Sequence, residues 1–271
     1  MSGPGDPTFD YLTGQMNASQ PPLIAAFEQE GAEAVRSLAP RLDVPYGPHP
    51  RQRYDFFAAS SSRATMLYFH AGYWQGRDKA QFRFLAPAFV AKGWSVALVN
   101  YPLCPEVSLA ELTEAARAAP EAVATASGGP MIVCGHSAGG HLAVEFGLTD
   151  WAARGRAKPI IAGIVALSGV YDLQPLLQTS LNDKLRLTPE SAAAASPLGR
   201  VQAGAPRALF AVGGLETEAF RTQTRSMAKA WAEAGNPQHV EIAPGADHFS
   251  LLRAFSDPGG ALFKAATDLA P

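Results

Sequence analysis

A serine stands between closely spaced glycines in Gly135-His136-Ser137-Ala138-Gly139. The apolar run Met131-Ile132-Val133-Cys134 precedes it, and a stretch with helical spacing, His141 to Leu148, follows. Strand, sharp turn and helix in that order is the setting that lifts a serine hydroxyl above a sheet. The glycines suit it, because so tight a turn brings backbone atoms together and leaves no room for a side chain at either flank. Ser137 is therefore the candidate nucleophile. The helix after it sets a positive end beside a developing oxyanion, and the amide of Ala138 is a candidate donor to that oxyanion.

A serine hydroxyl needs a base to take its proton. On a sheet carrying such a turn, the acid and then the histidine follow the serine in chain order. His248 meets this, since Val240-Glu241-Ile242 reads as a last strand and Pro244 to Asp247 as the turn that carries His248 over the strand ends. His239 opens that strand at the wrong end of the sheet, and His49 lies in a Pro-rich turn; both read as solvated loop residues. For the acid, whose role is to orient and stabilise the imidazolium, Glu216 is favoured. It leaves the carboxyl end of the strand Ala208 to Val212 through Gly213-Gly214-Leu215. Glu218, Asp172 and Asp247 are the alternatives, the last reading better as a loop-shaping residue because neighbours in sequence rarely face each other.

The second half of an oxyanion hole is expected in the loop after the early strand Thr65 to Phe69, which reads His70-Ala71-Gly72-Tyr73-Trp74. Gly72 allows close backbone approach, so its amide or that of Tyr73 is the second donor. His70 reads as a structural histidine that holds the loop. Tyr73 and Trp74, with His141 and Tyr171 after later strands, are the candidates for the aromatic side of a substrate pocket. For His141 and Tyr171, plain packing is an equal alternative.

The elements that must position these groups alternate. Strand-like runs at Arg53 to Ala58, Thr65 to Phe69, Ser95 to Val99, Met131 to Cys134, Ile160 to Leu167, Ala208 to Val212 and Val240 to Ile242 are separated by helical patterns. Those patterns are Gln81 to Lys92, Leu109 to Ala126, His141 to Leu148 and Arg221 to Ala234. An α/β fold with a mostly parallel sheet flanked by helices follows, and its ligands bind outside the carboxyl ends of the strands. One domain over 1–271 is expected, with residues 1–41 as an N-terminal extension or helix. Residues 173–205, long for a connection between strands, are expected to form a small lid.

Composition narrows the class. The chain has 271 residues, is 47% hydrophobic and carries a net charge of −2, so it can bury a sizeable core. Its charges form no run that would mark a nucleic-acid or membrane surface, and a small-molecule substrate is the expected partner. Homo-oligomerisation is left open. Cys104 and Cys134 lack metal-ligand spacing, and acyl transfer through a serine and a histidine implies no metal and no cofactor. Met1 to Gln20 has neither a basic region nor an apolar core of the secretory kind, and no later stretch is long and apolar enough to span a bilayer. A reduced, cytoplasmic protein is the expectation.

The run HAGYWQGRDKAQFRFLAPAFVAKGWSVALVNYPLCP from His70 to Pro105, with GHSAGGH from Gly135 to His141, resembles the arylformamidase (kynurenine formamidase) branch of the α/β-hydrolases. LSGVYDLQPL from Leu167, LRLTP from Leu185, GGLETEAFRTQ from Gly213 and ADHFSLL from Ala246 extend the resemblance over most of the chain after about Leu42. It implies an α/β-hydrolase fold, and it puts nucleophile, acid and base on Ser137, Glu216 and His248. The activity it implies is hydrolysis of a small N-formyl aryl amide such as N-formylkynurenine, with a carboxylesterase for short acyl esters as the alternative. A non-catalytic binding module on the same fold is the reading from a different class. Two departures stand out. Relatives have Gly-Gly where this chain has Ala71-Gly72, which would strain Ala71 if that position were left-handed, and the acid is often Asp where this chain has Glu216.

Overall fold

The computed structural model describes residues 3–127, 129–156 and 160–270. Its centre is an eight-stranded sheet of β1 (Arg41–Pro45), β2 (Arg53–Phe57), β3 (Ala64–Phe69), β4 (Trp94–Val99), β5 (Met131–His136), β6 (Gly163–Leu167), β7 (Arg207–Gly213) and β8 (Gln238–Ala243). The strand order is β1-β2-β4-β3-β5-β6-β7-β8. Only the pairs β1/β2 and β2/β4 are antiparallel. β3, β4, β5 and β6 are buried at every residue, as parallel strands covered on both faces must be. The edge strands β1 and β8 are polar and largely exposed, which discourages pairing with another chain.

Two apolar layers cover the sheet. On one face the helices Leu109–Ala116, Ala118–Ala126, Ala138–Gly147 and Glu218–Glu233 bring Leu112, Val123, Leu142 and Trp231 against it. On the other, the helices Gln20–Leu38, Ala86–Ala91, Leu251–Ser256 and Ala261–Thr267 bring Phe27, Phe89, Phe255 and Phe263.

The expected helix Gln81 to Lys92 is instead a 3₁₀ segment, Lys79–Leu85, followed by Ala86–Ala91. Pro87 favours the first turn of a new helix over the middle of a long one. Leu109 to Ala126 likewise divides around Arg117, because Pro120 has no N–H to continue the ladder. The polar strand β1 and the helices after Ser250 were not anticipated. Residues 173–205, expected as a lid, form the short helical turns Gln174–Gln178, Asn182–Leu185, Pro189–Ala194 and Pro197–Arg200. No helix among the described residues is long and apolar enough to cross a membrane.

Candidate active site

The neighbouring strands β3, β5, β6, β7 and β8 run parallel. The residues just past their carboxyl ends therefore gather on one rim: the loop at Gly72 after β3, Ser137 after β5, Ser168 after β6, Glu216 after β7 and His248 after β8.

At the β5 turn, Ser137 has φ 56° and ψ −117°, a conformation that L-residues adopt only when the surroundings impose it. Here the packing imposes it. A Cβ on Gly135 would lie 1.9 Å from the carbonyl oxygen of Gly139, and one on Gly139 would lie 1.9 Å from that of Phe69. The Ser137 amide donates to the Leu167 carbonyl at 2.8 Å, and its own carbonyl accepts from the His141 amide at 3.1 Å. The turn is thus pinned to β3 and β6 and runs straight into the helix Ala138–Gly147.

His248 Nδ1 lies 2.7 Å from Glu216 Oε2, and both side chains are buried. The other carboxylate oxygen of Glu216 accepts from the Gly213 amide at 2.8 Å and from Ser168 Oγ at 2.5 Å. Ser168 is a site residue that the sequence reading missed. Its only signal there is a hydroxyl immediately past a strand's carboxyl end. The rival acids are engaged elsewhere. Glu218 is exposed and paired with Arg221 and Arg225. Asp247 accepts from Asn17 and from the Phe249 and Ser250 amides, while Asp172 caps the turn at Gln174. Among the histidines, His239 pairs with Glu241 on the exposed edge and His49 with Glu106.

In the loop after β3, Gly72 has φ 128°, and Tyr73 and Trp74 have φ 49° and 59°. Ala71 has no such backbone, so the strain expected there falls on the two aromatic residues instead. Among the described residues, the amides of Gly72, Tyr73 and Ala138 are committed to no backbone acceptor. His70 is fully buried, with Nδ1 2.7 Å from the Ala71 carbonyl oxygen and its ring stacked 4.4 Å from Tyr101. Burial pushes its pKa down to about 4, so it is a neutral, loop-holding histidine.

Ser137 and His248 line one cavity of about 440 Å³ together with Gly72, Tyr73, Arg77 and Phe249. Tyr73 alone of the four expected pocket residues is on its wall. Trp74 is fully buried, its ring edge-on to His141 at 5.0 Å. His141 Nε2 is 2.8 Å from the Ala195 carbonyl oxygen, and Tyr171 is fully buried against Phe210. Trp74 packs into the core against His141 although its backbone, like that of cavity-lining Tyr73, is left-handed. The wall is completed by Leu12, Gln15, Met16 and Gln20 from the N-terminal segment and by Leu181. Nothing in the sequence pattern placed that N-terminal segment over the rim.

This arrangement can carry acyl transfer. Residues 66–252 match the family model described as the alpha/beta hydrolase fold. The chain belongs to the α/β-hydrolase family. Within it, the chain falls in the arylformamidase-like branch. It is 34% identical to a kynurenine formamidase of Danio rerio, over 87% of this chain and 84% of that one. A kynurenine formamidase of Salmo salar is 31% identical over 84% and 82%. Among solved structures, a thioesterase candidate from Silicibacter superposes with a TM-score of 0.85 at 30% identity, covering 98% of this chain and 100% of that one. This α/β-hydrolase is an enzyme of the hydrolase class.

Proposed function

We propose that this hydrolase cleaves a small N-formyl aryl amide of the N-formylkynurenine kind through Ser137, His248 and Glu216. The observation that carries the chemistry is the 2.7 Å contact between His248 and buried Glu216, with Ser137 and His248 opening onto one cavity. Ser137 Oγ attacks the formyl carbon while His248 Nε2 takes its proton, and the amides near Gly72, Tyr73 and Ala138 receive the oxyanion. Collapse of the tetrahedral intermediate breaks the C–N bond, and His248 returns the proton to the leaving amine. Water then attacks the formyl-serine ester by the same route, releasing formate. Glu216, held by Ser168 and the Gly213 amide, keeps the proton on Nδ1 so that Nε2 is the base. Cytoplasmic residence is part of the same proposal.

The formyl specificity rests on the likeness to the fish kynurenine formamidases. A second reading, hydrolysis of short acyl esters or thioesters, is favoured by the likeness to the Silicibacter thioesterase candidate. The acyl-length profile of kcat/KM separates the two. The formamidase reading expects a maximum at formyl and turnover of N-formylkynurenine; a maximum at butyryl with no detectable N-formylkynurenine hydrolysis would overturn it. Fluorophosphonate labelling tests enzyme against binding module, since only an activated serine reacts.

A further inference from the structure

Arg77 is the one formally charged side chain among the described residues lining the cavity of Ser137 and His248. Its guanidinium makes no ion pair and donates no hydrogen bond among the described residues. It lies 4.5 Å above the ring of Phe249, which is edge-on to His248 at 5.4 Å. The backbone holds it there in the left-handed region, at φ 70°, and the Arg77 carbonyl accepts from Arg51 at 2.9 Å.

None of the acids around it forms an ion pair with it, and exposed Glu28 acts on it only at a distance. Glu216 serves His248, Ser168 and the Gly213 amide. Asp247 serves Asn17 and the turn at Ser250. Asp78 pairs with Arg51 and accepts from Asn100, and Glu28 accepts from Gln81 at 3.0 Å. A half-buried guanidinium with no carboxylate in contact is costly, and a guanidinium fork suits a carboxylate in two parallel hydrogen bonds.

We propose that Arg77 receives a carboxylate carried by the substrate's leaving group, so that the enzyme selects aryl amines that bear a carboxylate over those that lack one. The inference rests on the formamidase reading in one respect: a formyl group has no room for a second charge, so the anion must sit on the amine side. The phenyl face of Phe249 would orient the guanidinium while the aryl ring occupies the space toward Tyr73.

The test compares N-formylkynurenine with its side-chain carboxamide in the wild type, Arg77→Met and Arg77→Lys. Met keeps a Cβ and an apolar stem on Phe249. The expected result is a wild-type preference for the carboxylate, a ratio of kcat/KM values that falls about 10- to 100-fold in Arg77→Met, and partial retention in Arg77→Lys. An unchanged ratio, or an equal loss on both substrates, overturns the proposal. If N-formyl amides are not cleaved, the formamidase reading fails separately, and the ratio is then read on aryl acetates with and without a ring carboxylate. Titration of Ser137→Ala protein with kynurenine and with its carboxamide gives the ratio as Kd without turnover; equal affinities overturn the assignment of Arg77.

Discussion

Glu216 reaches His248 with one carboxylate oxygen and is itself held through the other by Ser168 and the Gly213 amide. The anchor is what lets a glutamate, longer than aspartate by a methylene, present one oxygen to the imidazole in a fixed direction. Glu216→Gln should lower kcat by about two to four decades with little change in KM, because the imidazole loses both its tautomer preference and its counter-charge. Asp247→Asn, which alters a helix-capping network, should do much less. A reversal of the two effects would move the acid to Asp247. Ser168→Ala should fall between them, since it frees Glu216 without removing it.

Ser137 combines a strained backbone with the hydroxyl proposed as nucleophile. Ser137→Ala should abolish turnover and fluorophosphonate labelling with the fold intact; labelling that persists would remove Ser137 from the role. Ser137→Gly should be equally inactive and more stable than Ser137→Ala by about 1 kcal/mol, because glycine adopts φ 56° without strain. Denaturant melts of the two variants check this, and equal stability would show that the turn is not strained.

His70 gives the fold an acid-side weakness. Its folded pKa is held near 4 by burial, below the ordinary value of about 6.5, so the folded state favours the neutral ring. Its Nε2 has no hydrogen-bond partner among the described residues, leaving a proton there without an acceptor. The contribution is complete above the unfolded pKa and is lost as pH falls from about 6.5 to 4, by ~3 kcal/mol in all. Burial pushes His136 and His141 in the same direction. Urea unfolding followed between pH 7.5 and 4.5 should show stability falling steadily. His70→Asn, whose amide can still donate to the Ala71 carbonyl, should flatten that slope; an unchanged slope would rule His70 out as a contributor.

Trp74 is expected to act through packing. Trp74→Ala should destabilise the protein by about 3–5 kcal/mol and lower kcat more than it raises KM, because it loosens the loop that carries the proposed oxyanion amides. A pure KM effect in a protein of unchanged stability would return Trp74 to the pocket wall.

The sheet, and the strand ends at which Ser137, Glu216 and His248 stand, were readable because both are local patterns. Buried parallel strands are continuous apolar runs such as Met131 to Cys134, and chain order placed Glu216 and His248 at successive strand ends. Strand β1 was not readable, since Arg41–Pro45 has only two apolar residues at strand spacing, Leu42 and Val44, between Pro40 and Pro45. Ser168, Arg77 and the N-terminal wall were not readable either. Their roles depend on which strand ends become neighbours and where the chain before Gln20 is laid across them. The aromatic residues misled for a related reason: proximity to Gly72 in sequence does not say which neighbour faces the cavity, and Tyr73 lines it while Trp74 packs against His141, both at positive φ.

The N-terminal segment supplies Leu12, Gln15, Met16 and Gln20 to the cavity, and it is tied down at both sides of the site. On the oxyanion side, the Tyr73 hydroxyl donates to the Tyr11 carbonyl. On the acid side, Thr217 Oγ1 donates to the Asp10 carbonyl at 2.7 Å and accepts from Gln15 Nε2 at 3.1 Å. Tyr73→Phe removes one of these ties and keeps the ring. A single hydrogen bond contributes about 1 kcal/mol, roughly fivefold in an equilibrium constant, so the segment should leave the rim more often. KM should then rise about fivefold while kcat changes less, because the chemical groups on β5, β7 and β8 stay in place. Proteolysis should also cut sooner near Asn17. If kcat alone falls, with KM and cleavage rate unchanged, Tyr73 contributes to the oxyanion loop and not to the closure of the N-terminal wall.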